Sequence, residues 1–184
     1  MKKILIPLFI AIIFVIGCEN TMNTPTHKVE DFLGKYQKMD SNVIEELRQV
    51  LEEDHTMSEN QKVKYQSLLE KQYQNLAYKI KNEEVEIDTA VVDVEIEVLD
   101  YKTSIDKAKK YYEEHLDEFK KETNEDQKED TEDTKDYIDY KLKELEKVNA
   151  KTKYEITFNL TKKDGVWIID NLSEIDRKKI HGLY

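Results

Sequence analysis

Residues 90–99 have the sequence Ala-Val-Val-Asp-Val-Glu-Ile-Glu-Val-Leu, which is the clearest strand pattern in the chain. Small and β-branched side chains occupy every second position, and the acidic residues Asp93, Glu95 and Glu97 fall between them. Because side chains alternate between the two faces of a strand, the pattern predicts one core face and one acidic face. The acidic face could bind a cation, but a solvated outer face is the favoured interpretation.

Further strands are predicted on both sides of this segment. Apolar residues at spacing two within residues 78–87 indicate a long, bulged strand, and residues 88–89 are typical of a turn. Near the C-terminus, residues 154–160 alternate, and residues 166–172 form a return strand. Residues 163–165, Lys-Asp-Gly, join the two as a hairpin, because Asp-Gly tolerates the positive φ of tight turns. We expect neighbouring strands to be antiparallel.

Apolar side chains recur at helical spacing in most of the remaining chain. The helices predicted from this spacing are 25–39, 43–54, 58–75, 103–121 and 135–149. The order is helices, strand pair, two helices and strand pair. It predicts an α+β fold, in which N-terminal helices pack on a curved antiparallel sheet and a helical pair is inserted between the strand pairs.

The N-terminus has the parts of an export signal. Lys2 and Lys3 form a short cationic start, residues 4–16 are almost wholly apolar, and small Gly17 follows. A helix needs about 20 apolar residues to cross the hydrocarbon core, and this segment is shorter and contains Pro7. We therefore predict a cleaved signal peptide.

One cysteine, Cys18, ends this apolar segment. Residues 15–18, Val-Ile-Gly-Cys, resemble the bacterial lipobox, which implies that the thiol is acylated with diacylglycerol and that the peptide is cut before Cys18. Two acyl chains, such as palmitate, hold a protein stably on a bilayer. The resemblance implies a lipoprotein anchored on the extracytoplasmic face of the cell membrane. An ordinary secretory signal, or a short anchor with an incidental cysteine, is the alternative.

These features divide the chain into three parts. Residues 1–17 are the predicted signal peptide, residues 18–24 carry the lipidated cysteine and a short tether, and residues 25–184 form one α+β domain. Within that domain, residues 122–136 are rich in acids and have no apolar side chain, which predicts a flexible, charged connector. The connector lacks the glycine and the alternating oxygen ligands of a calcium-binding EF-hand loop.

The charge of the chain limits its partners. The formal net charge is −11, and the loss of Lys2 and Lys3 with the signal peptide would make it −13. Nucleic acids and anionic headgroups need a basic footprint, so we expect no nucleic-acid partner, and the lipid must supply the membrane contact. With Cys18 acylated, no thiol remains for disulfides, thiolate metal sites or cysteine catalysis. We predict no metal and no cofactor.

Five short motifs of packing and turn residues follow one another along the mature chain. They are Val29-x-x-Phe32-Leu33-x-x-Tyr36, Tyr73-x-x-Leu76-x-Tyr78-x-Ile80, Asp88-Thr89-Ala90-x-Val92-x-Val94, Lys163-Asp164-Gly165-x-Trp167-x-Ile169-Asp170 and Ile180-x-Gly182-x-Tyr184. Together they resemble the cystatin-like, nuclear transport factor two-like domains of small Gram-positive lipoproteins, many of which have no known function. The resemblance covers nearly the whole mature chain.

The resemblance implies a sheet that curves around a cone-shaped pocket. Some relatives use this pocket as an active site, and others use it to bind ligands or partners. Trp167, Tyr154, Tyr78 and Tyr36 fall on predicted inward positions and are the candidate ligand-binding residues. The alternative is that these rings form the edge of the core, between the helices and the sheet.

Two functions remain open at this point. The favoured one is a membrane-tethered, non-enzymatic domain that binds a small ligand or an envelope protein, since no catalytic motif is present in the sequence. The other is a small-molecule isomerase or dehydratase, in which a buried carboxylate or His115 is the general acid or base. A buried carboxylate with a partner would favour the enzyme, and an apolar pocket edged by tyrosines would favour binding.

Overall fold

The described part of the chain confirms the predicted α+β fold. The computed structural model describes residues 23–119 and 135–184, so the predicted signal peptide, Cys18 and most of the predicted acidic connector lie outside it. Helices pack on one face of a four-stranded antiparallel sheet, an arrangement consistent with cystatin-like and nuclear transport factor two-like domains. The elements are α1 (Pro25–Gln37), α2 (Ser41–Glu53), α3 (Glu59–Gln74), β1 (Ala77–Val85), β2 (Thr89–Leu99), α4 (Tyr101–Glu114), α5 (Leu116–Phe119), α6 (Lys135–Glu146), β3 (Lys151–Lys163), β4 (Val166–Ile169) and α7 (Glu174–Ile180).

The sheet has the strand order β1-β2-β3-β4, and every neighbouring pair is antiparallel. The register of β1 against β2 shifts between Ile80 and Asn82, which is the bulge that the sequence predicts. Asp164 and Gly165 form the β3–β4 turn with φ values of 51° and 79°. Both residues therefore take the left-handed conformation expected of an Asp-Gly hairpin.

The main core lies between the sheet and helices α1 and α7. The side chains of β2 that face it are Ala90, Val92, Val94, Ile96 and Val98, all nearly inaccessible to solvent. Val29 and Leu33 of α1 are fully buried against this face, and Ile180 of α7 joins them. Full burial of such a side chain contributes about 1.5–3 kcal/mol, so this interface is a main source of stability.

The outer face of the sheet carries pairs of side chains that bridge β2 and β3. Lys153 Nζ donates to a carboxylate oxygen of Glu95 at 2.8 Å, and Lys151 Nζ donates to Glu97 at 3.2 Å. The Lys153 hydrogen bond and charge hold the pKa of Glu95 below its usual range. Glu95 and Glu97 are thus paired with lysines and Asp93 accepts from the Thr157 hydroxyl, as the solvated interpretation expects.

A second helical layer, formed by α3, α4 and α6, covers the end of the sheet where β2 finishes at Leu99. We call this the Leu99 end. Gln61 of α3 connects the layer, because its Oε1 accepts from the Ser58 backbone N–H at 2.8 Å and its Nε2 donates to Asp139 of α6 at 3.1 Å. The fully buried side chains of this layer include Tyr101, Ile138, Leu142 and Leu145.

Two local predictions are wrong. The single helix predicted over 103–121 is broken at His115, whose φ of −131° and ψ of 39° are not helical. Ile87, predicted as a strand residue, lies instead in the β1–β2 turn and is 87% exposed. The turn lies one residue earlier than expected, because the Glu86 backbone N–H donates to the Thr89 carbonyl at 2.8 Å.

Candidate ligand pocket

A pocket of about 670 Å³ lies between helices α1, α2 and α3, the segment after β4 and the C-terminal residues. Small-molecule sites usually have about 300–1,000 Å³ and mainly apolar walls. The apolar side chains of this pocket include Phe32, Val43, Leu47, Leu51, Leu69 and Leu172. In size and in lining, the pocket suits a small organic ligand.

The pocket depends on a sharp turn between α1 and α2. Met39 takes a φ of 56°, in the left-handed region, and Asp40 caps α2 by accepting from the Asn42 backbone N–H at 3.0 Å. This cap also explains why α2 begins at Ser41, two residues before the predicted start. The turn places α2 beside α3, and the buried side chains of their contact are Val43, Leu47, Leu51, Leu69 and Tyr73.

The inner polar group of the pocket is a pair formed by Tyr73 of α3 and His181 of the C-terminal segment. The Tyr73 hydroxyl lies 3.0 Å from His181 Nδ1, and the Tyr36 ring packs edge-to-face on Tyr73 with 5.1 Å between centroids. Burial raises the pKa of Tyr73. Burial, and then the charge of Arg177, lowers the pKa of His181 to about 4. The pair is therefore uncharged and hydrogen-bonded near neutral pH.

The polar rim of the pocket carries charges of both signs. Glu46, Asp170 and Arg177 are exposed and lie on it. Asp170 accepts a hydrogen bond from the Thr161 hydroxyl at 3.1 Å. Arg177 lines the pocket and makes no salt bridge within the described part of the chain. Burial raises the pKa of Tyr36, with Glu46 adding to the rise and Arg177 opposing it.

The structure brings only one of the four predicted ligand-binding residues into this pocket, namely Tyr36. Trp167 pairs with Lys162 of β3, which lies eight residues along that strand from Tyr154. Eight residues of strand span about 26 Å, so no single pocket of this size can hold both rings. The periodicity placed these side chains on the correct face of the sheet but carried no information on their separation.

The three rings outside the pocket pack at the edge of the core. Trp167 is 5% exposed, with Lys162 Nζ 5.2 Å from its ring centroid. Tyr154 packs edge-to-face on Tyr184 and donates to its carbonyl at 2.5 Å. Tyr78 is half-buried, and burial raises its pKa. These contacts are those of core-edge residues, which was the alternative interpretation of the aromatic positions.

His115, the candidate general acid or base, lies away from the pocket at the end of α4. Its ring stacks on Tyr111 with 4.0 Å between centroids, and its Nδ1 lies 2.9 Å from the Tyr111 carbonyl. Glu118, its neighbour in sequence, accepts instead from the Tyr111 hydroxyl at 2.8 Å. His115 therefore lies at the C-terminal end of α4, and the histidine that lines the pocket is His181.

Sequence reasoning missed His181 and Arg177 as pocket residues. Both belong to a short C-terminal segment that has no pattern of its own apart from two apolar side chains. The available signal was Ile180-x-Gly182, since Ile180 is 1% exposed and Gly182 has a φ of 69°. A docked isoleucine followed by a residue in the left-handed region fixes the backbone of His181 between them.

Several kinds of site are absent from the residues that the structure describes. Among the side chains that the structure describes in 23–119 and 135–184, the buried polar ones are glutamines and none is a carboxylate. The same residues contain no cluster of three or more acidic, histidine or cysteine side chains arranged to hold a metal ion. No helix in these two ranges is both long and apolar enough to cross a membrane.

Comparisons with protein-family models, with curated proteins and with solved structures find no match.

Proposed function

We propose that this chain is an envelope lipoprotein, held on the bilayer through acylated Cys18, whose domain binds a small amphipathic ligand. The anchor is supported by the Val-Ile-Gly-Cys pattern at the end of the apolar N-terminus. The binding function is supported by one observation above all. A pocket of about 670 Å³ has apolar walls and an uncharged Tyr73–His181 pair as its inner polar group.

The lining of the pocket indicates the chemistry of the ligand. Leu47 and Leu69 offer apolar contact to a hydrocarbon or aromatic body. Arg177 offers charge-assisted hydrogen bonds to an acceptor at the rim, while Glu46 and Asp170 oppose a strongly anionic head. A ligand with an apolar body and an uncharged or zwitterionic head fits this arrangement best.

The alternative is a small-molecule isomerase or dehydratase, and the pocket offers it little acid–base chemistry. Catalysis by proton transfer works best when the pKa of the group is near the working pH. Burial and Arg177 lower the pKa of His181 to about 4, which makes it a weak base at neutral pH. Since no described carboxylate is buried, we prefer binding without chemical turnover.

The binding proposal is tested with a pocket-filling substitution. The chain from Glu19 onward, which contains every described residue, is titrated with the neutral fluorophore N-phenylnaphthylamine. Leu47→Trp fills the pocket, and Val63→Trp places the same side chain on an exposed site of α3 that is 63% accessible. We expect saturable binding by the parent and by Val63→Trp, and at least a tenfold loss in Leu47→Trp. Equal binding by all three proteins would reject the pocket.

The anchor is tested separately by intact mass. Protein recovered from native membranes should carry a diacylglyceryl adduct on Cys18, and Cys18→Ser should lose both the adduct and its retention on membranes. An unmodified mass that begins at Met1 would reject the lipoprotein. Turnover of a small substrate, abolished by His181→Asn with folding intact, would instead favour the enzyme.

A further inference from the structure

Both hairpin turns of the sheet lie at the same end, opposite the Leu99 end. The β1–β2 turn spans 86–89, and the β3–β4 turn spans 163–166. The β1–β2 turn is joined to β3 just before the second turn, because the Lys162 backbone N–H donates to the Asp88 carbonyl at 2.8 Å. We call this the hairpin end of the domain.

The described chain begins at the hairpin end. The Asn23 side chain makes two hydrogen bonds to the β3–β4 hairpin. Its Nδ2 donates to the Gly165 carbonyl at 2.8 Å, and its Oδ1 accepts from the Trp167 backbone N–H at 3.2 Å. The first turn of α1 is also held there, since the Thr26 backbone N–H donates to a Glu83 carboxylate oxygen at 3.1 Å. The start of the described chain is therefore fixed to this end of the sheet.

The hairpin end exposes large apolar side chains. Ile87 is 87% exposed, Val85 54% and Val166 46%. Ile87 is one of the two central residues of its turn, where glycine, asparagine, aspartate and proline are the usual choices. Neither turn conformation nor packing in the domain accounts for a β-branched apolar side chain at this site.

We propose that the hairpin end is the membrane-facing surface of the domain, and that Ile87 enters the headgroup interface of a bilayer whose lipids carry no net charge. The proposal rests on the lipid anchor proposed above. Asn23 is five residues after Cys18, so the fully extended chain between them spans at most about 17 Å. With its anchor acylated, the domain cannot turn its Leu99 end to the bilayer without breaking the Asn23 contacts.

Charge decides which lipids suit this surface. The acids near the two turns are Glu84, Glu86, Asp88 and Asp164, and the lysines are Lys162 and Lys163. The excess of acids disfavours an anionic bilayer and leaves zwitterionic lipid as the compatible partner. One apolar side chain cannot hold the protein on a membrane alone, since even a single acyl chain binds only marginally. The role of Ile87 is therefore to orient a domain that the lipid already tethers.

The test uses the full acylated protein with one dye. Cys18 is the only natural cysteine, so after its acylation Ile87→Cys supplies a single reactive thiol. The protein is recovered from membranes, labelled with the polarity-sensitive dye nitrobenzoxadiazole and reconstituted in phosphatidylcholine vesicles. Val63→Cys is the control, because Val63 is also well exposed but lies on α3, which packs at the Leu99 end. Intact mass establishes that Cys18 is acylated in each sample.

We expect the dye at position 87 to show a blue-shifted emission and a loss of iodide quenching relative to the dye at 63. The difference should shrink when phosphatidylglycerol replaces part of the phosphatidylcholine. Equal spectra at both positions in acylated protein would overturn the membrane-facing assignment and leave the lipoprotein proposal intact. Burial of dye 87 in detergent that depends on protein concentration would show a second copy as the occupant and would also overturn it. An unmodified Cys18 would overturn both proposals.

Discussion

The side-chain amide of Gln72 exchanges two hydrogen bonds with the backbone of Leu99. Its Oε1 accepts from the Leu99 N–H at 2.8 Å, and its Nε2 donates to the Leu99 carbonyl at 3.2 Å. Gln72 is fully buried, so it satisfies the last residue of β2 as a neighbouring strand would. Gly182 lies directly over this pair, and a Cβ there would collide with the Gln72 amide and the Leu99 carbonyl.

Gly182→Ala should therefore destabilise the domain strongly. The substitution adds backbone strain at a φ of 69° and a collision with a backbone atom that cannot move aside. We expect the free energy of unfolding to fall by about 2–6 kcal/mol, measured by urea denaturation.

Gly34→Ala is the matched control for this substitution. Gly34 is buried in α1, but a Cβ built there meets no atom within 4 Å. Because alanine favours a helix over glycine by about 0.5–1 kcal/mol, this variant should keep or raise stability. Equal losses in both variants would show that the Gln72–Leu99 contact is not the cause.

Gln72→Ala should cost about 2–5 kcal/mol in the same measurement, because it leaves both the N–H and the carbonyl of Leu99 buried without a partner. Gln66→Ala provides the comparison. Gln66 bonds only to Glu70 on its own helix, at 2.9 Å, so its removal should cost less than about 1 kcal/mol. If the two glutamine variants unfold at the same urea concentration, the Gln72–Leu99 hydrogen bonds contribute no more to stability than the Gln66–Glu70 bond.

His181 should make stability depend on pH. Its pKa is about 4 in the folded domain, against an ordinary value near 6.5, so protonation favours the unfolded chain. The His181 contribution is therefore complete above pH about 6.5 and is lost as the pH falls toward 4. Between pH 8 and pH 5 we expect a loss of about 1–2 kcal/mol that is missing in His181→Asn. A parent and a variant with identical pH profiles would mean that the pKa of His181 is the same in the folded and the unfolded chain.

Asn23→Ala should loosen the contact between the start of the described chain and the β3–β4 hairpin. The Trp167 backbone N–H then loses its acceptor, the Asn23 Oδ1 at 3.2 Å. We expect hydrogen exchange at the Trp167 amide to speed up by at least tenfold, while the amide of Val94 in the central strand stays unchanged. Unchanged exchange at Trp167 would show that Asn23 does not hold the hairpin in solution.

The sequence predicted the parts of the fold that depend on local pattern. The alternation through β2, the bulged β1 and the Asp-Gly turn each follow from residues that are neighbours along the chain. The break at His115 was missed because the apolar spacing of a helix continues through it, while the ring and carbonyl contacts to Tyr111 interrupt the backbone.

The candidate pocket was less predictable because tertiary contacts build it. Tyr73 and His181 are 108 residues apart in sequence and meet only after the C-terminal segment docks. Tyr36 was placed correctly because its position on α1 follows from the helical spacing. The residue pattern predicts the face of the sheet on which Trp167 and Tyr154 lie. It does not predict the distance between the two rings, because that distance depends on strand register. The residue pattern thus predicts which face of an element a side chain lies on, whereas contacts between residues distant in sequence depend on the tertiary fold.

The two described termini leave the sheet at opposite ends. Asn23 holds the N-terminal side to the hairpin end, while the Tyr154 hydroxyl donates to the Tyr184 carbonyl at the level of Ile96, nearer the Leu99 end. The part of β2 from Thr89 to Ile96 runs between these two points and spans about 23 Å. In a tethered protein the sheet would thus act as a spacer, and cargo fused after Tyr184 would be held about that far from the anchored end.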